Sequence, residues 1–90
     1  AISEKSEVTI SGNVIDEETE EPLEYATIVV FSKLKNAIIT GGITDSKGDF
    51  SIPVEIGAFD IRIEYIGFKT QIIENKRITN DENIGKFSLI

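Results

Sequence analysis

Apolar and polar residues alternate with a period of two over two long segments of the chain, Val8–Val14 and Phe59–Tyr65. Successive side chains of a β-strand point to opposite faces, so this alternation is typical of strands with one buried face. No segment has apolar residues at the three- and four-residue spacing of a helix over a useful length. The pattern therefore predicts an all-β protein.

Five further segments bounded by turn-forming residues also predict strands, and one of them, Leu23–Ser32, is apolar on both faces. We expect that strand to lie in the centre of a sheet or to be covered on its second face. Pro53 cannot donate a hydrogen bond to a ladder, so it should lie at a strand end or in an edge strand. Seven short strands, with a polar connection at Glu74–Asn83, predict a Greek-key β-sandwich. The five segments are Leu23–Ser32, Ala37–Thr44, Asp49–Val54, Phe68–Ile72 and Ile84–Leu89.

The stretch TGGITDSKGDFSI, at Thr40–Ile52, is the part of the chain that most suggests a ligand site, because it combines three glycines with two aspartates. A phosphate site needs a glycine loop that runs into a helix, and a calcium loop needs acids at alternate positions, and neither pattern is present. Asp45 can accept a hydrogen bond from the backbone two residues further on, and Gly48 can adopt a positive φ. We therefore predict a turn that joins two strands of a hairpin.

Length and charge narrow the possible roles of the chain. Its 90 residues fit one domain over residues 8–90, with residues 1–7 as a flexible N-terminus. Sixteen acidic residues against nine scattered basic ones give a net charge of −7, which disfavours nucleic acid and anionic membranes as partners. The first residues have no basic region followed by an apolar one, so an export signal would have to precede them or have been removed.

Histidine and cysteine are both missing from the sequence, which excludes the common nucleophile–base pairs and the usual zinc and haem ligands. Asp60 and Glu64 could serve as paired carboxylates, but Arg62 lies between them and favours a solvated, charge-paired surface. The acidic loop Asp16–Glu21 lacks the spacing of a calcium loop, so we expect a solvated loop there, with weak cation binding left open. We predict no catalytic residue, no cofactor and no dedicated metal site.

Three segments together resemble the carboxypeptidase-regulatory-like domain: Ile10–Phe31, Gly41–Ile52 and Gly57–Thr70. They contain, in order, G-x-V-x-D, E-P-L-x-x-A, G-x-x-T-D-x-x-G-x-F and Y-I-G-F, and the resemblance covers nearly the whole chain. It implies a small transthyretin-like (prealbumin-like) sandwich. The histidines on which the related 5-hydroxyisourate hydrolases depend are missing, so that activity is not implied.

The forms PLEYATIVVF, TGG-ITDSKGDF and IGKFSL are most similar to the domain that precedes the plug and barrel of TonB-dependent outer-membrane receptors. This similarity implies a non-catalytic, periplasmic N-terminal extension of a receptor for nutrient uptake. Its expected partners are other domains of that receptor or an envelope protein, with no membrane insertion by this segment itself. The same module also occurs on surface proteins and peptidases.

Apolar residues on the second face of the predicted sheet are candidates for an interface, because exposed apolar patches often mark contact surfaces. The alternative is that they fill that face against a connection or a terminus. Tyr25 is of particular interest because many relatives carry glycine at its position. The candidates are Tyr25, Val29, Phe31, Ile66 and Ile73.

Three other function classes stay open. A carbohydrate- or ligand-binding module would use loops at one end of the sandwich, although the chain has no Trp, and only Tyr25 and Tyr65 offer a ring with a polar edge. A regulatory domain attached to a peptidase would keep the fold and change the parent protein. An enzyme would require turnover that depends on Asp60 and Glu64, and the sequence favours this least.

Overall fold

A computed structural model describes residues 7–90, which form seven strands in two sheets. The predicted seven-stranded β-sandwich is therefore confirmed. No helix within these residues is long and apolar enough to cross a membrane. The strands are β1 (Glu7–Asp16), β2 (Thr27–Ser32), β3 (Ala37–Ile43), β4 (Asp49–Glu55), β5 (Gly57–Glu64), β6 (Gln71–Ile78) and β7 (Glu82–Leu89).

One sheet has three strands in the order β4-β1-β7, and the other has four in the order β3-β2-β5-β6. The β1–β7 pair is parallel, and all other pairs are antiparallel. The chain crosses between the sheets after β1, β3, β4 and β6, and β3 contacts β4 of the other sheet. This path has the long-range pairing of a Greek-key sandwich.

The core lies between the two sheets and is built from every second residue of the strands. In β4, Phe50, Ile52 and Val54 are buried while the residues between them are exposed. β2 contributes Ile28 and Val30 from the facing sheet. Burial of a Val, Ile or Phe side chain stabilises a fold by about 1.5–3 kcal/mol each, so this inner layer is the main stabilising element of a domain that has neither disulfides nor described metal sites.

All connections lie at one of two ends of the sandwich, because every strand runs along its length. The β1–β2, β3–β4 and β5–β6 connections lie at one end, which we call the loop end, and Ile90 lies there too. The backbone N–H of Lys69 donates to the carbonyl of Ile90 at 2.7 Å, and that of Glu17 donates to Leu89 at 3.0 Å. These bonds tie the end of β7 to two of the connections.

The predicted hairpin at Thr40–Ile52 is wrong, although the turn itself is present. β3 pairs with β2 in the four-stranded sheet, whereas β4 pairs with β1 in the three-stranded sheet. The turn therefore passes the chain from one sheet to the other. Alternation on either side of a turn is the same for a hairpin and for such a crossing, so the sequence could not separate them.

Other element boundaries also differ from the prediction. Residues 23–26 are irregular rather than strand, and most of the expected polar connection Glu74–Asn83 lies in β6 and β7. β6 is an edge strand with one exposed face, so it tolerates polar residues that resemble a loop in sequence. Pro53 lies in edge strand β4, as predicted. The expected flexible N-terminus falls outside the described residues except for Glu7, which begins β1.

Candidate interaction surface

The side chain of Thr44 connects the β3–β4 turn to the irregular segment before β2. Its hydroxyl accepts a hydrogen bond from the Ala26 N–H at 2.8 Å and donates one to the Leu23 carbonyl at 2.5 Å. The backbone carbonyl of Thr44 accepts a hydrogen bond from the Tyr25 N–H at 3.1 Å, and the backbone N–H of Thr44 donates one to the Ala26 carbonyl at 3.0 Å. Thr44 is buried, so these bonds have little competition from water and fix the conformation of residues 23–26.

The adjoining turn has the chemistry that the sequence predicted. The Asp45 carboxylate accepts from the N–H groups of Lys47 and Asp49 at 2.9 and 3.0 Å. Gly48 has φ +77°, and a side chain there would collide with the carbonyl oxygen of Val14. The side-chain amide of Asn13 donates to Lys47 and Asp49 from the neighbouring strand. No ligand is needed to explain the acids or the glycine of this turn.

Tyr25 adopts a backbone conformation that bulky residues rarely adopt. Its φ is +68°, in the left-handed region, which costs an L-residue roughly 1–2 kcal/mol. The hydrogen bonds of Thr44 with the neighbouring backbone hold it there. The Tyr25 side chain is 66 % exposed and is not part of the core, so packing within the domain does not explain why a tyrosine is used.

The β5–β6 turn presents a second exposed apolar side chain at the same end. Gly67 has φ +86°, and the N–H of Phe68 donates to the Tyr65 carbonyl at 3.0 Å. The rings of Tyr65 and Phe68 pack edge to face with centroids 5.5 Å apart, and both residues lie against the core. Ile66 is therefore left at the tip of a braced turn, with 92 % of its surface exposed.

Tyr25 and Ile66 line the same open groove, which has a volume of about 590 Å³. We call it the loop-end groove. Its walls combine apolar and aromatic surface with hydroxyl groups and one carboxylate, so it can bind by apolar contact and hydrogen bonding. The groove is lined by Tyr25, Thr27, Glu64, Tyr65, Ile66, Gly67, Phe68 and Thr70.

The structure separates the five interface candidates into three places. Tyr25 and Ile66 lie in the loop-end groove. Val29 and Phe31 are half-buried on the outer face of β2. Ile73 is not on the second face, and this prediction is corrected: Ile73 pairs with buried Ile61 and packs against the core. The inward and outward alternation of β5 does not continue through Phe68–Ile72, because the turn at Gly67 interrupts it. The sequence therefore does not show which residues of β6 face the core.

Three exposed isoleucines on the outer face of the four-stranded sheet were missed. Ile38 pairs with Phe31, Ile43 pairs with Thr27, and Ile72 pairs with Arg62. Odd- and even-numbered positions of Ala37–Ile43 both carry apolar residues, which indicates that some of them, such as Ile38, face outward. Which isoleucine faces which side depends on a register shift between Val30 and Phe31. That shift is not visible in the residue pattern.

Arg62 and Glu64 of β5 form an exposed ion pair, as predicted, whereas Asp60 pairs with Lys33 instead of Arg62 and its side chain is only 14 % exposed. Arg62 lies 3.4 Å from Glu64, and Asp60 lies 3.6 Å from the ammonium of Lys33. Asp60 also accepts a hydrogen bond from the Asn75 N–H at 2.9 Å, which supports a bulge in β6. These carboxylates therefore have structural partners.

The acidic loop is organised by its own backbone. The Asp16 carboxylate accepts from Glu18 N–H at 2.8 Å, and the Thr19 hydroxyl oxygen accepts from Glu21 N–H at 3.2 Å. Across residues 7–90, no three carboxylates converge in a way that could hold a metal ion. Weak cation binding by this loop stays an open expectation.

Solved structures with the same fold are parts of longer and varied chains. One is a type II cohesin–X-dockerin complex from Acetivibrio cellulolyticus, with 23 % identity, a TM-score of 0.69 and coverage of 88 % of this chain and 52 % of that one. Another is a putative carbohydrate binding protein from Bacteroides uniformis, with 19 % identity, a TM-score of 0.70 and coverage of 92 % and 41 %. A third is a 9R-lipoxygenase from Cyanothece, with 17 % identity, a TM-score of 0.69 and coverage of 98 % and 17 %.

These identities are low enough that the similarity establishes the fold alone. The chain spans about half of the length of the first of these structures and a smaller share of the other two. A search of curated protein sequences returns no significant match. The family model of the CarboxypepD_reg-like domain matches residues 10–89, which is nearly all of the described structure. The chain therefore belongs to the CarboxypepD_reg-like domain family, as a small β-sandwich domain.

Proposed function

We propose that this domain is a non-catalytic contact domain, and that its parent is a TonB-dependent outer-membrane receptor for nutrient uptake, in which it forms the periplasmic N-terminal extension. The parent assignment is supported by the similarity of PLEYATIVVF, TGG-ITDSKGDF and IGKFSL to that form of the domain. Family membership over residues 10–89 is compatible with it. The proposed partner is another domain of the receptor or a periplasmic envelope protein.

The observation that carries the contact role is the state of Tyr25. A left-handed, mostly exposed tyrosine destabilises the fold and adds nothing to the core, whereas glycine would adopt the same conformation without strain. Backbone strain of this kind is concentrated at functional sites. Tyrosine is also a favoured residue at the centre of protein interfaces, because it offers a large, stiff surface with one polar end.

The loop-end groove suits contact rather than enclosure of a small molecule. It is open, and its apolar side chains, Tyr25 and Ile66, project from two separate connections. The neighbouring β1–β2 connection contains a run of acidic residues over Asp16–Glu21. A partner surface with an apolar centre and a basic rim would therefore complement this end of the domain.

The location is tested by protease accessibility of the full-length parent protein. The domain should resist added protease in intact cells and be digested once the outer membrane is opened by osmotic shock. A parent that fractionates with the outer membrane supports the proposal. Digestion in intact cells, a cytoplasmic parent, or a peptidase catalytic domain in the same chain would each contradict the receptor assignment.

The contact role is tested by substitution of Ile66→Asp in the full-length receptor, followed by measurement of substrate uptake. The matched control is Leu34→Asp, because Leu34 is an almost fully exposed apolar residue in the β2–β3 turn at the opposite end. Uptake should fall for Ile66→Asp and stay unchanged for Leu34→Asp, with equal amounts of receptor in the membrane. Equal uptake by both variants would refute the groove as the contact site.

A carbohydrate-binding role is a second candidate, favoured by the placement of Tyr25 and Tyr65 in one groove with Glu64, Thr27 and Thr70. Aromatic rings beside hydroxyl and carboxylate groups are suited to sugars. One protein with the same fold is described as a putative carbohydrate binding protein. Saturable binding of an oligosaccharide, measured by titration calorimetry and abolished by Tyr25→Gly, would favour this role over protein contact.

A further inference from the structure

The four edge strands of the sandwich differ in their protection against pairing with another strand. β4 contains Pro53 and acidic residues. β6 and β7 each contain charged residues and one residue with a positive φ at a register shift, Asn75 in β6 and Gly85 in β7. Natural sheets use charges, proline and bulges of this kind to keep edges from associating. β3, with the sequence AIITGGI, contains no charge and no proline, and its single register shift lies near its start.

The part of β3 beyond that shift, Thr40–Ile43, pairs regularly with β2 on one side. Among residues 7–90, no strand pairs with its other side. Gly41 and Gly42 have no side chains to hinder a neighbouring backbone. Exposed Ile38 and Ile43 flank them on the outer face of the sheet. An uncharged edge that lies between exposed isoleucines is suited to the addition of a strand.

We propose that the β3 edge pairs with the β3 edge of a second copy of this chain, as an antiparallel, two-fold symmetric dimer with one continuous eight-stranded sheet. Ile43, Gly41 and Ile38 pair with Thr27, Val29 and Phe31 of β2, so the register shift leaves Gly41 midway between the two isoleucines along the outer face. A two-fold axis at Gly41 therefore places Ile43 of each copy beside Ile38 of the other, on the same outer face. Each dimer would then gain two apolar cross-strand contacts in addition to the backbone hydrogen bonds. This inference does not depend on the proposed function.

Charge favours a second copy over an unrelated strand. Lys33 and Lys35 lie in the turn before β3, whereas Asp45 follows β3 and Glu24 lies in the segment held by Thr44. Within their own chain these lysines form ion pairs, Lys33 with Asp60 and Glu74 and Lys35 with Glu55. The pairs with Glu74 and Glu55 are exposed and therefore weak, so both ammonium groups can also contact a carboxylate of a second copy. In an antiparallel pair, the basic turn of each copy lies next to the acidic end of the other. Groups of opposite charge therefore meet at both ends of this contact, even though the whole chain has a net charge of −7.

The test is sedimentation equilibrium of the isolated domain over a range of concentrations, since one short strand pair and two apolar contacts should give a dissociation constant of about 0.1 mM. Ile38→Lys and Ile43→Lys should each weaken association at least about tenfold, because lysine at an edge opposes pairing. The matched control is Ile72→Lys on β6, at the opposite edge of the same outer face. The three isoleucines are 63 %, 59 % and 56 % exposed, so none is needed for the core.

Association that is lost in the two β3 variants and retained in Ile72→Lys would support the dimer. A wild-type domain that is still monomeric at about 1 mM would overturn it. Equal weakening by Ile72→Lys would also overturn it, because contact would then involve the whole sheet face. Thermal unfolding of all three variants, with midpoints near that of the wild type, establishes that the comparison is between folded proteins.

Discussion

The Thr44 hydroxyl and the Ala26 backbone N–H form a buried hydrogen bond of 2.8 Å that joins two connections at the loop end. Because the same hydroxyl also donates to Leu23, one side chain fixes the segment that places Tyr25 at the surface. The threonine of the T-D-x-x-G motif thus has a structural role that is separate from that of the aspartate and glycine, which form the turn.

Replacement of Thr44 by valine should destabilise the domain by about 2–4 kcal/mol, because it leaves a buried N–H and a buried carbonyl without partners. Thr44→Ser keeps the hydroxyl and should cost about 1 kcal/mol for the lost methyl group. Urea denaturation of both variants measures the difference. If the two variants were equally stable, the hydrogen bonds of Thr44 would not be the source of its effect.

Gly48→Ala should destabilise the domain by more than about 2 kcal/mol, since it combines an unfavourable φ with a collision against Val14. Gly67→Ala is the control, because Gly67 also has a positive φ, of +86°, but has open space around its Cα. That variant should cost only about 1 kcal/mol. Chemical denaturation separates the two, and equal losses would exclude the collision as the cause.

Tyr25→Gly should leave the free energy of unfolding unchanged or raise it by up to about 1 kcal/mol, because glycine relieves the strain at φ +68°. Partner binding or uptake should fall in the same variant. Tyr25→Ala keeps the strain but removes the ring, so it should lose binding without a gain in stability. A marked loss of stability in Tyr25→Gly would identify the ring as a structural element and contradict the contact role.

Asp60→Ala should destabilise the domain by about 1–2 kcal/mol through the loss of the hydrogen bond from Asn75 and of the pair with Lys33. Asp60→Asn keeps an acceptor oxygen for Asn75 and should cost less than about 0.5 kcal/mol. Thermal denaturation provides the comparison. Equal losses would mean that the charge, and not the hydrogen bond to the β6 bulge, determines the contribution of Asp60.

The sequence predicted the class of fold because strand alternation and turn chemistry are local properties. The buried residues of β4 and β5 and the turn at Asp45–Gly48 follow directly from them. Three features were not predictable in this way: the sheet assignment of β4, the strand character of much of Glu74–Asn83, and the inward direction of Ile73. Each depends on a pairing partner that is distant in the sequence.

The candidate interaction surface could also be predicted only in part from the sequence. Tyr25 and Ile66 could be selected from the sequence as apolar residues in or near turns. They lie 41 residues apart in the chain, however, and the two connections that carry them meet in one groove only in the fold. The exposed isoleucines of β3 and β6 depend on register shifts in the four-stranded sheet.

By itself, the sequence of this domain determined an all-β sandwich, its turn residues and its non-basic surface, because these follow from side-chain alternation, backbone preferences and charge. Only the tertiary structure decided which sheet each strand joins, which isoleucines face outward, and that Thr44 holds Tyr25 in a strained, exposed position. Those outcomes depend on hydrogen bonds and packing between residues far apart in the chain, and no local pattern contains that information.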